Sequence, residues 1–255
     1  MLIDTHTHLL SEEFDNDRDE VIKRAKDKGV EKFIEVGYDE KYSTKLVDFV
    51  EYNDDFFGAI GIHPHNAIEF TNTTLKNFEK LIKSQKIIAI GEIGLDYYRD
   101  LSPRDTQEKI FRQQIELSQS LEMPIIIHCR EAKDNLKKIL KEYQNLTGII
   151  HSFSGTLQDA YFYIERGFLL GISGVVTYKN SLALKNVVKE IDMQNIVFET
   201  DCPYLPPTPY RGKRNEPSYL NFTKEEVVKL KEIDSEIVDK ITAENINRIF
   251  KIFNK

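Results

Sequence analysis

Eight short runs of mainly apolar residues recur along this chain of 255 residues, and their spacing limits the folds that it can adopt. The runs end near residues 5, 37, 61, 91, 127, 150, 172 and 200, so consecutive ends lie 22 to 36 residues apart. Buried strands of a parallel sheet are short apolar runs of this kind. The intervals are too long for hairpins and leave room for a crossover helix, so the pattern predicts eight βα units.

Helices are predicted in the intervals, and two more are predicted near the end of the chain. The clearest follows Ser102-Pro103, where Ser102 is expected to cap the helix and Pro103 to occupy its first position. The others are expected at about residues 16–28, 42–52, 73–84, 131–143, 156–166 and 181–190, and from Thr223 and Ser235. No change of composition marks a linker, so the sequence predicts the α/β class and one (β/α)8 TIM barrel forming a single domain over residues 1–255. An open doubly wound sheet is the alternative.

Composition narrows the classes of function. The net charge of −7 argues against a protein that coats nucleic acid or an anionic membrane through bulk positive charge, so any recognition of phosphate is expected to be local. Two cysteines cannot build a disulfide framework, and no signal peptide is recognised, so a reduced, cytoplasmic protein is expected. No apolar run approaches the roughly 20 residues of a membrane-spanning helix, so no membrane association is expected.

All six histidines fall within about four residues of a predicted strand end. In a (β/α)8 barrel the carboxyl ends of the strands form the catalytic face. His6 and His8 flank Thr7, so an extended backbone points both imidazoles to one side. A single Glu, His or Asp at a strand end is commonly a capping or solvated residue. Together, however, four imidazoles and two carboxylates could hold two metal ions if one carboxylate bridges them; these residues are His6, His8, His128, His151, Glu92 and Asp201.

At these residues the sequence resembles the TatD family of metal-dependent hydrolases, often described as TatD-type deoxyribonucleases. Seven blocks carry the resemblance across the whole chain, and they lie at residues 4–8, 61–64, 91–98, 124–132, 151–155, 199–205 and 211–217. The first reads DTHTH, the third GEIGLDYY and the sixth ETDCPYL. Leu10, Asp192 and Phe198 depart from the family's usual pattern, but none of them is a predicted ligand.

The resemblance implies roles for individual residues. One divalent ion would be held by His6, His8, Glu92 and Asp201, and a second by Glu92, His128 and His151, with Glu92 as the bridge. The substrate phosphate would be contacted by His63, Arg130 and the segment 211–214, in which Arg211 and Arg214 could donate in bidentate fashion. The metal is expected to be zinc, manganese or magnesium.

The predicted activity is hydrolysis of phosphodiester bonds by a metal-activated water, at the ends of single-stranded DNA or on short oligonucleotides. Two cations can activate water and stabilise the leaving oxygen. Asp201 is expected to orient that water and accept its proton, with Glu92 as the second catalytic residue. No obligate protein partner is expected.

Two other functions are compatible with the same ligands. The activated water could attack a carbonyl carbon, as in an aminoacyl-tRNA deacylase or a lactonase, or the protein could bind metal without catalysis. Cys129 and Cys202 stand next to predicted ligands, but strand alternation points their thiols away, so packing is expected for both.

Overall fold

The computed structural model describes residues 1–71 and 73–252. Within them the eight strands are β1 Leu2–Thr7, β2 Val30–Val36, β3 Phe56–Ile60, β4 Ile87–Asp96, β5 Ile125–Arg130, β6 Gly148–Ile150, β7 Phe168–Ile172 and β8 Ile196–Phe198. The helices are α1 Arg18–Asp27, α2 Glu40–Glu51, α3 Thr74–Leu81, α4 Arg104–Ser120, α5 Lys133–Leu140, α6 Leu157–Ile164, α7 Leu182–Glu190, α8 Leu220–Lys231 and α9 Ser235–Phe250.

The strands form one eight-stranded sheet in which spatial order follows chain order from β1 to β8. Helices separate consecutive strands, which defines the predicted (β/α)8 TIM-barrel fold and excludes the doubly wound alternative. Every residue of β3, β4, β6, β7 and β8 is buried, because strands covered by helices have no solvent face and so read as continuous apolar runs.

Contacts divide the described chain into two compact units. Of the described residues, the first contains 1–35 and 152–252, and therefore β1, nearly all of β2, β7 and β8. In this unit β1 pairs with β2 and β7 pairs with β8, both in parallel. A bridge from Thr7 to Cys202 joins the end of β1 to the segment that follows β8.

The second unit contains residues 36–151, with β3 to β6. Here β4 continues to Asp96, beyond its predicted end near residue 91, and β5 continues to Arg130. Glycine disfavours a strand interior, so the sequence GEIG reads as a strand end. The ladder nevertheless continues through Gly94 opposite His128. Gly94 has φ +142, and a Cβ there would lie 2.0 Å from the carbonyl oxygen of His128, so only glycine allows this close approach.

Helix α4 begins one residue later than predicted. Pro103 is its N-cap, and Arg104 is its first residue. The Ser102 hydroxyl instead donates to the carbonyl oxygen of His65 and accepts from the backbone N–H of Ile68, so it ties together the loops that follow β3 and β4. In residues 1–71 and 73–252, no helix is long and apolar enough to cross a membrane.

Candidate metal centre

The first unit brings together His6, His8 and Asp201, which we call the first donor set. The Nε2 atoms of His6 and His8 lie 3.2 Å apart, and Oδ1 of Asp201 lies 4.0 Å from the first and 3.6 Å from the second. Metal–nitrogen bonds of about 2.0–2.1 Å in a tetrahedral site separate neighbouring ligand atoms by about 3.3 Å. The three side chains are buried, and the two imidazole nitrogens have this separation, while the carboxylate oxygen lies somewhat farther from both.

The alternation of β1 turns the two histidines to one side, as the sequence predicts. On the other side the Thr7 hydroxyl donates to Oε2 of Glu35 at 2.7 Å. Glu35 is fully buried and also accepts from the backbone N–H groups of Leu9 and Leu10, at 3.0 and 2.9 Å. This carboxylate therefore fixes the chain on both sides of His8. Glu35 is not among the predicted site residues, because it lies inside a predicted strand.

A second buried carboxylate, Asp4, holds the segment that carries Asp201. Its two oxygens accept from the backbone N–H and the hydroxyl of Thr200, at 2.9 and 2.6 Å. Burial raises the pKa of Asp4 to about 8, although the hydrogen bonds from Thr200 oppose the shift. Asp201 follows with φ +58, a left-handed conformation that Asp tolerates, and its N–H donates to the carbonyl oxygen of His6.

Glu199 is a further buried acid that the sequence analysis did not select. Its Oε1 accepts from the backbone N–H of Ser152 at 2.5 Å. A Cβ on Gly171 would lie 2.2 Å from Oε2 of Glu199, so the missing side chain of β7 makes the room that this carboxylate fills. Its position beside Thr200-Asp201 is the sequence signal that could have identified it.

The second unit brings together Glu92, His128 and His151, which we call the second donor set. Oε1 of Glu92 lies 2.8 Å from Nδ1 of His128 and 3.8 Å from Nε2 of His151. Nε2 of His63 also lies 3.8 Å from the same oxygen. One carboxylate oxygen thus faces three imidazoles from the ends of three strands.

The contact between His128 and Glu92 is stable only if a proton or a cation lies between Nδ1 of the ring and the carboxylate oxygen. Nε2 of His128 lies 3.0 Å from Oδ2 of Asp96, so it carries a hydrogen and donates it. In the neutral ring Nδ1 is then a lone pair facing a carboxylate at 2.8 Å, an arrangement that a proton or a cation stabilises. Burial lowers the pKa of His128, but hydrogen bonds to Asp96 and Glu92 outweigh it and raise the pKa to about 8. The donor set therefore fits a divalent cation that would replace this proton.

Asp96 is a buried carboxylate that belongs to the block at residues 91–98 and is not among the predicted site residues. Its Oδ2 also accepts from Nε2 of His65 at 2.9 Å, and its Oδ1 accepts from the backbone N–H groups of Tyr98 and Arg99 at 3.0 and 2.8 Å. Burial favours the neutral acid, but the hydrogen bonds from His128 and His65 prevail and hold the pKa of Asp96 well below its usual range.

His63 is held in the tautomer that makes it a donor. Its Nδ1 accepts from the backbone N–H of His65 at 3.1 Å, so in the neutral ring the hydrogen is on Nε2. Burial lowers the pKa of His63 well below its usual value and so keeps the ring neutral, despite the nearby charge of Glu92. The role of His63 as a substrate contact stays a prediction.

The three predicted phosphate-binding arginines lie in different surroundings. Arg130 is exposed and lies 3.9 Å above the ring of Tyr98, and Arg211 is exposed and lies 4.3 Å above the ring of Tyr178. Arg214 donates to both oxygens of Asp17, at 2.8 and 2.6 Å. The first two are exposed residues stacked on tyrosine rings, whereas the third is held by a carboxylate.

Comparison with known proteins defines the class. The profile of the TatD related DNase family matches residues 3–251. An uncharacterized metal-dependent hydrolase of Bacillus subtilis, YabD, is 44% identical over 254 residues, covering 99% of this chain and 100% of that protein. The crystal structure of the TatD homolog YjjV from Escherichia coli superposes with a TM-score of 0.93 at 25% identity, covering 98% of each chain.

A relative with a more specific name is the 3'-5' ssDNA/RNA exonuclease TatD of Rahnella, which is 31% identical over 253 residues and is matched over 96% of both chains. The protein is therefore a metal-dependent hydrolase. It belongs to the TatD-related DNase family, which confirms the resemblance seen in the sequence. The ligand assignments, the number of ions and the substrate stay predictions.

Proposed function

We propose that this protein uses two divalent metal ions to hydrolyse phosphodiester bonds at the ends of single-stranded DNA. The observation that carries the proposal is the contact at 2.8 Å between Nδ1 of His128 and Oε1 of Glu92, because a cation would satisfy two atoms that otherwise share a proton. The family match over residues 3–251 supports treating the whole chain as one hydrolase domain.

Six residues at the carboxyl ends of the strands would hold the ions. In a (β/α)8 fold these ends supply the ligands of the active site. The first ion would be bound by the first donor set and Glu92, and the second by Glu92, His128 and His151. Imidazole and carboxylate donors together suit zinc or manganese, while the carboxylates keep magnesium possible.

Asp201 and His63 would each have a separate role in the reaction. When bound, the pair of ions would supply the Lewis acidity that activates water and stabilises the leaving oxygen. Asp201 would orient the attacking water and accept its proton, since its carboxylate is the part of the first donor set that solvent reaches most easily. The Nε2–H of His63 would donate to a phosphate oxygen, with its proton held in place by the contact at Nδ1.

Single-stranded ends fit the distribution of charge. The chain carries a net charge of −7, so a long duplex would meet repulsion, whereas a strand end needs only a few local cations. Arg130 and Arg211 are the exposed guanidinium groups proposed to bind neighbouring phosphates, and Arg214 would have to exchange Asp17 for phosphate to join them. The name of the Rahnella relative favours the same substrate class.

The test combines metal analysis with an assay panel. Protein purified without chelator is analysed for zinc, manganese and magnesium, then incubated with 5'- and 3'-labelled single-stranded DNA, an RNA oligonucleotide, an acylated tRNA and a lactone. We expect two ions per chain and stepwise shortening of DNA that chelator abolishes and added metal restores.

Other outcomes decide between the alternatives. Cleavage of the acyl ester or the lactone, with intact DNA, would replace the proposal by hydrolysis at a carbonyl carbon. Metal binding with no turnover on any substrate would favour a non-catalytic metal-binding protein. Wild-type protein that binds no divalent metal would remove all three.

A further inference from the structure

We propose that Asp96 is a positioning residue that sets which nitrogen of His128 is available to metal, and that it holds His65 in the same network. This inference rests on the proposed metal-binding function of the second donor set. It assigns a role to a carboxylate that lies outside the six proposed ligands.

The two ring nitrogens of His128 contact two different carboxylates. Nε2 contacts Oδ2 of Asp96 at 3.0 Å, and Nδ1 points at Glu92 from the other side of the ring. A carboxylate that accepts the Nε2 hydrogen leaves the lone pair on Nδ1 and increases its basicity, which is how outer carboxylates act on metal-binding histidines. Asp96 therefore aims the ring as well as fixing its tautomer.

The carboxylate of Asp96 is itself fully occupied by hydrogen-bond donors. Oδ2 receives two imidazole nitrogens, from His128 and His65, and Oδ1 receives the backbone N–H groups of Tyr98 and Arg99. The side chain is 1% exposed. A carboxylate that accepts four hydrogen bonds has no lone pair left for an ion, so Asp96 is assigned as a support for a ligand and not as a ligand.

The backbone of Asp96 is itself held in place by Gln107. Oε1 of Gln107 accepts from the backbone N–H of Asp96 at 2.9 Å, and Nε2 of Gln107 donates to its carbonyl oxygen at 3.1 Å. Gln107 lies on α4 and is buried, so this helix holds the end of β4 in place. His128 is therefore positioned by a chain of contacts that leads back to the scaffold.

His65 is the second imidazole on the shared oxygen. Its side chain is 27% exposed, and its backbone N–H donates to Nδ1 of His63. Loss of His65 removes one of the four donors on Asp96 but leaves the contact with His128. We therefore expect His65→Gln to change the metal affinity of the second donor set by less than about threefold.

The experiment measures metal affinity without substrate. Asp96→Asn, Asp96→Glu and His65→Gln are titrated with zinc against a chromophoric chelator, beside wild type and Asp159→Asn. Asp159 is a matched control, because it is a buried carboxylate that caps α6 through Thr156 and is assigned no metal role. We expect Asp96→Asn to weaken one of the two zinc sites by about 10–100-fold, and Asp96→Glu to recover part of the loss.

A second readout reports the ring directly. In zinc-loaded protein labelled with 15N at histidine, His128 should give a one-bond 15N–1H correlation at Nε2 and none at Nδ1, assigned with His128→Asn. In Asp96→Asn this correlation should shift, or disappear because the Nε2 hydrogen exchanges rapidly with water, while Asp159→Asn should retain it.

Three results would overturn the inference. The first is Asp96→Asn binding zinc as tightly as wild type at both sites. The second is an equal loss in Asp159→Asn, which would mean that general destabilisation causes it. The third is wild type that binds no metal, which would remove the proposed function as well, so the two failures are distinguishable. If Asp96→Asn does not fold, Asp96→Glu carries the same test.

Discussion

The two donor sets differ in how closely their atoms approach. In the first, the carboxylate oxygen of Asp201 stands 3.6 and 4.0 Å from the imidazole nitrogens, whereas in the second Glu92 and His128 stand 2.8 Å apart. In the first set the two imidazole nitrogens already have the separation that ligands of one ion show, whereas in the second set an imidazole and a carboxylate are in direct hydrogen-bond contact. Histidines and carboxylates at strand ends can therefore differ in how closely their metal-free spacing matches that of metal ligands.

Their supports differ as well. Behind the first set, Glu35 and Asp4 hold backbone N–H groups and threonine hydroxyls, so they fix the chain that carries the ligands. Behind the second set, Asp96 contacts the imidazole of His128 itself. The first set is shaped through the backbone and the second through a side chain, so the second should respond more selectively to single substitutions.

The largest effect is expected at the carboxylates of the two sets. Asp201→Asn should lower kcat by about 10²–10⁴-fold, the range for loss of a general base. Glu92→Gln should lower it at least as far, because both proposed ions lose a ligand. Initial rates on end-labelled single-stranded DNA and the metal content of each variant check this.

Asp239→Asn is the control for these two variants, since Asp239 pairs with Lys224 between α8 and α9. It should keep full turnover and two ions. Glu92→Gln with two ions and wild-type turnover would contradict the bridging assignment. Asp201→Asn with full turnover would remove only its proposed role as proton acceptor.

Substituting one histidine in each donor set should distinguish the two proposed metal sites. His8→Gln should abolish one class of metal site and His151→Gln the other, with a loss of affinity greater than the 10–100-fold typical for a supporting group. Stabilisation by metal should fall in parallel, since an ion at 100 times its Kd adds about 2.7 kcal/mol to the free energy of unfolding. Competition titrations and melting curves measure both quantities.

If His8→Gln and His151→Gln lost the same class of metal site, the two donor sets would have to bind one ion together. Unchanged titrations in His8→Gln would show that the spacing of the first set is structural. Arg166→Ala is a suitable control, because Arg166 lies over Phe162 and no metal role is assigned to it.

Arg130 and Arg214 differ in their expected contribution to substrate binding. Arg130→Ala should raise KM about 10–100-fold with little change in kcat, because a charge-assisted contact to phosphate contributes about 1.5–3 kcal/mol. Arg214→Ala should instead lower the free energy of unfolding by about 1 kcal/mol, since Arg214 donates to Asp17 at the partly exposed surface. Steady-state kinetics and urea unfolding distinguish the two effects, and the reverse pattern would exchange the roles.

The sequence predicts the fold well because strand ends repeat at intervals suited to crossover helices. It also predicts which side of β1 carries His6 and His8, since an extended backbone alternates. It ended β4 too early, because the glycines at 91 and 94 disfavour a strand while the close pairing of Gly94 with His128 requires one.

The supporting carboxylates were harder to predict from the sequence than the donors. Glu35, Asp4 and Asp96 act through contacts made by chain folding, with partners such as Leu10, Thr200 and His128. Neighbouring residues in the sequence reveal only where a strand ends, which locates the donors but not the carboxylates that support them. The number and identity of the ions depend on ligand geometry, which residue order does not contain.

The smallest effect concerns an ion pair in the first unit. Both Nε and Nη2 of Arg24 donate to Glu216, at 3.0 and 2.7 Å, and the Ser218 hydroxyl donates to it as well. Burial favours the neutral acid, but the hydrogen bonds from Arg24 and Ser218 outweigh it and lower the pKa of Glu216 below 4.5. A carboxyl with a lowered pKa in the folded state stabilises the protein above its unfolded pKa, and this contribution is lost as the pH falls through its folded pKa.

Glu216→Gln should therefore lower the free energy of unfolding by about 1 kcal/mol at pH 7, a value kept small because Arg24 is 45% exposed. The difference from wild type should persist down to about pH 5 and shrink steadily below the ordinary pKa of 4.5. Urea unfolding at several pH values measures it, and Arg24→Met should give at least as large a loss at pH 7, because it removes the same pair and also the contact of Arg24 with Asp17 at 3.5 Å. A difference that stays constant into acid would show that Glu216 acts through packing, and the charge on this segment would then play no part in holding it.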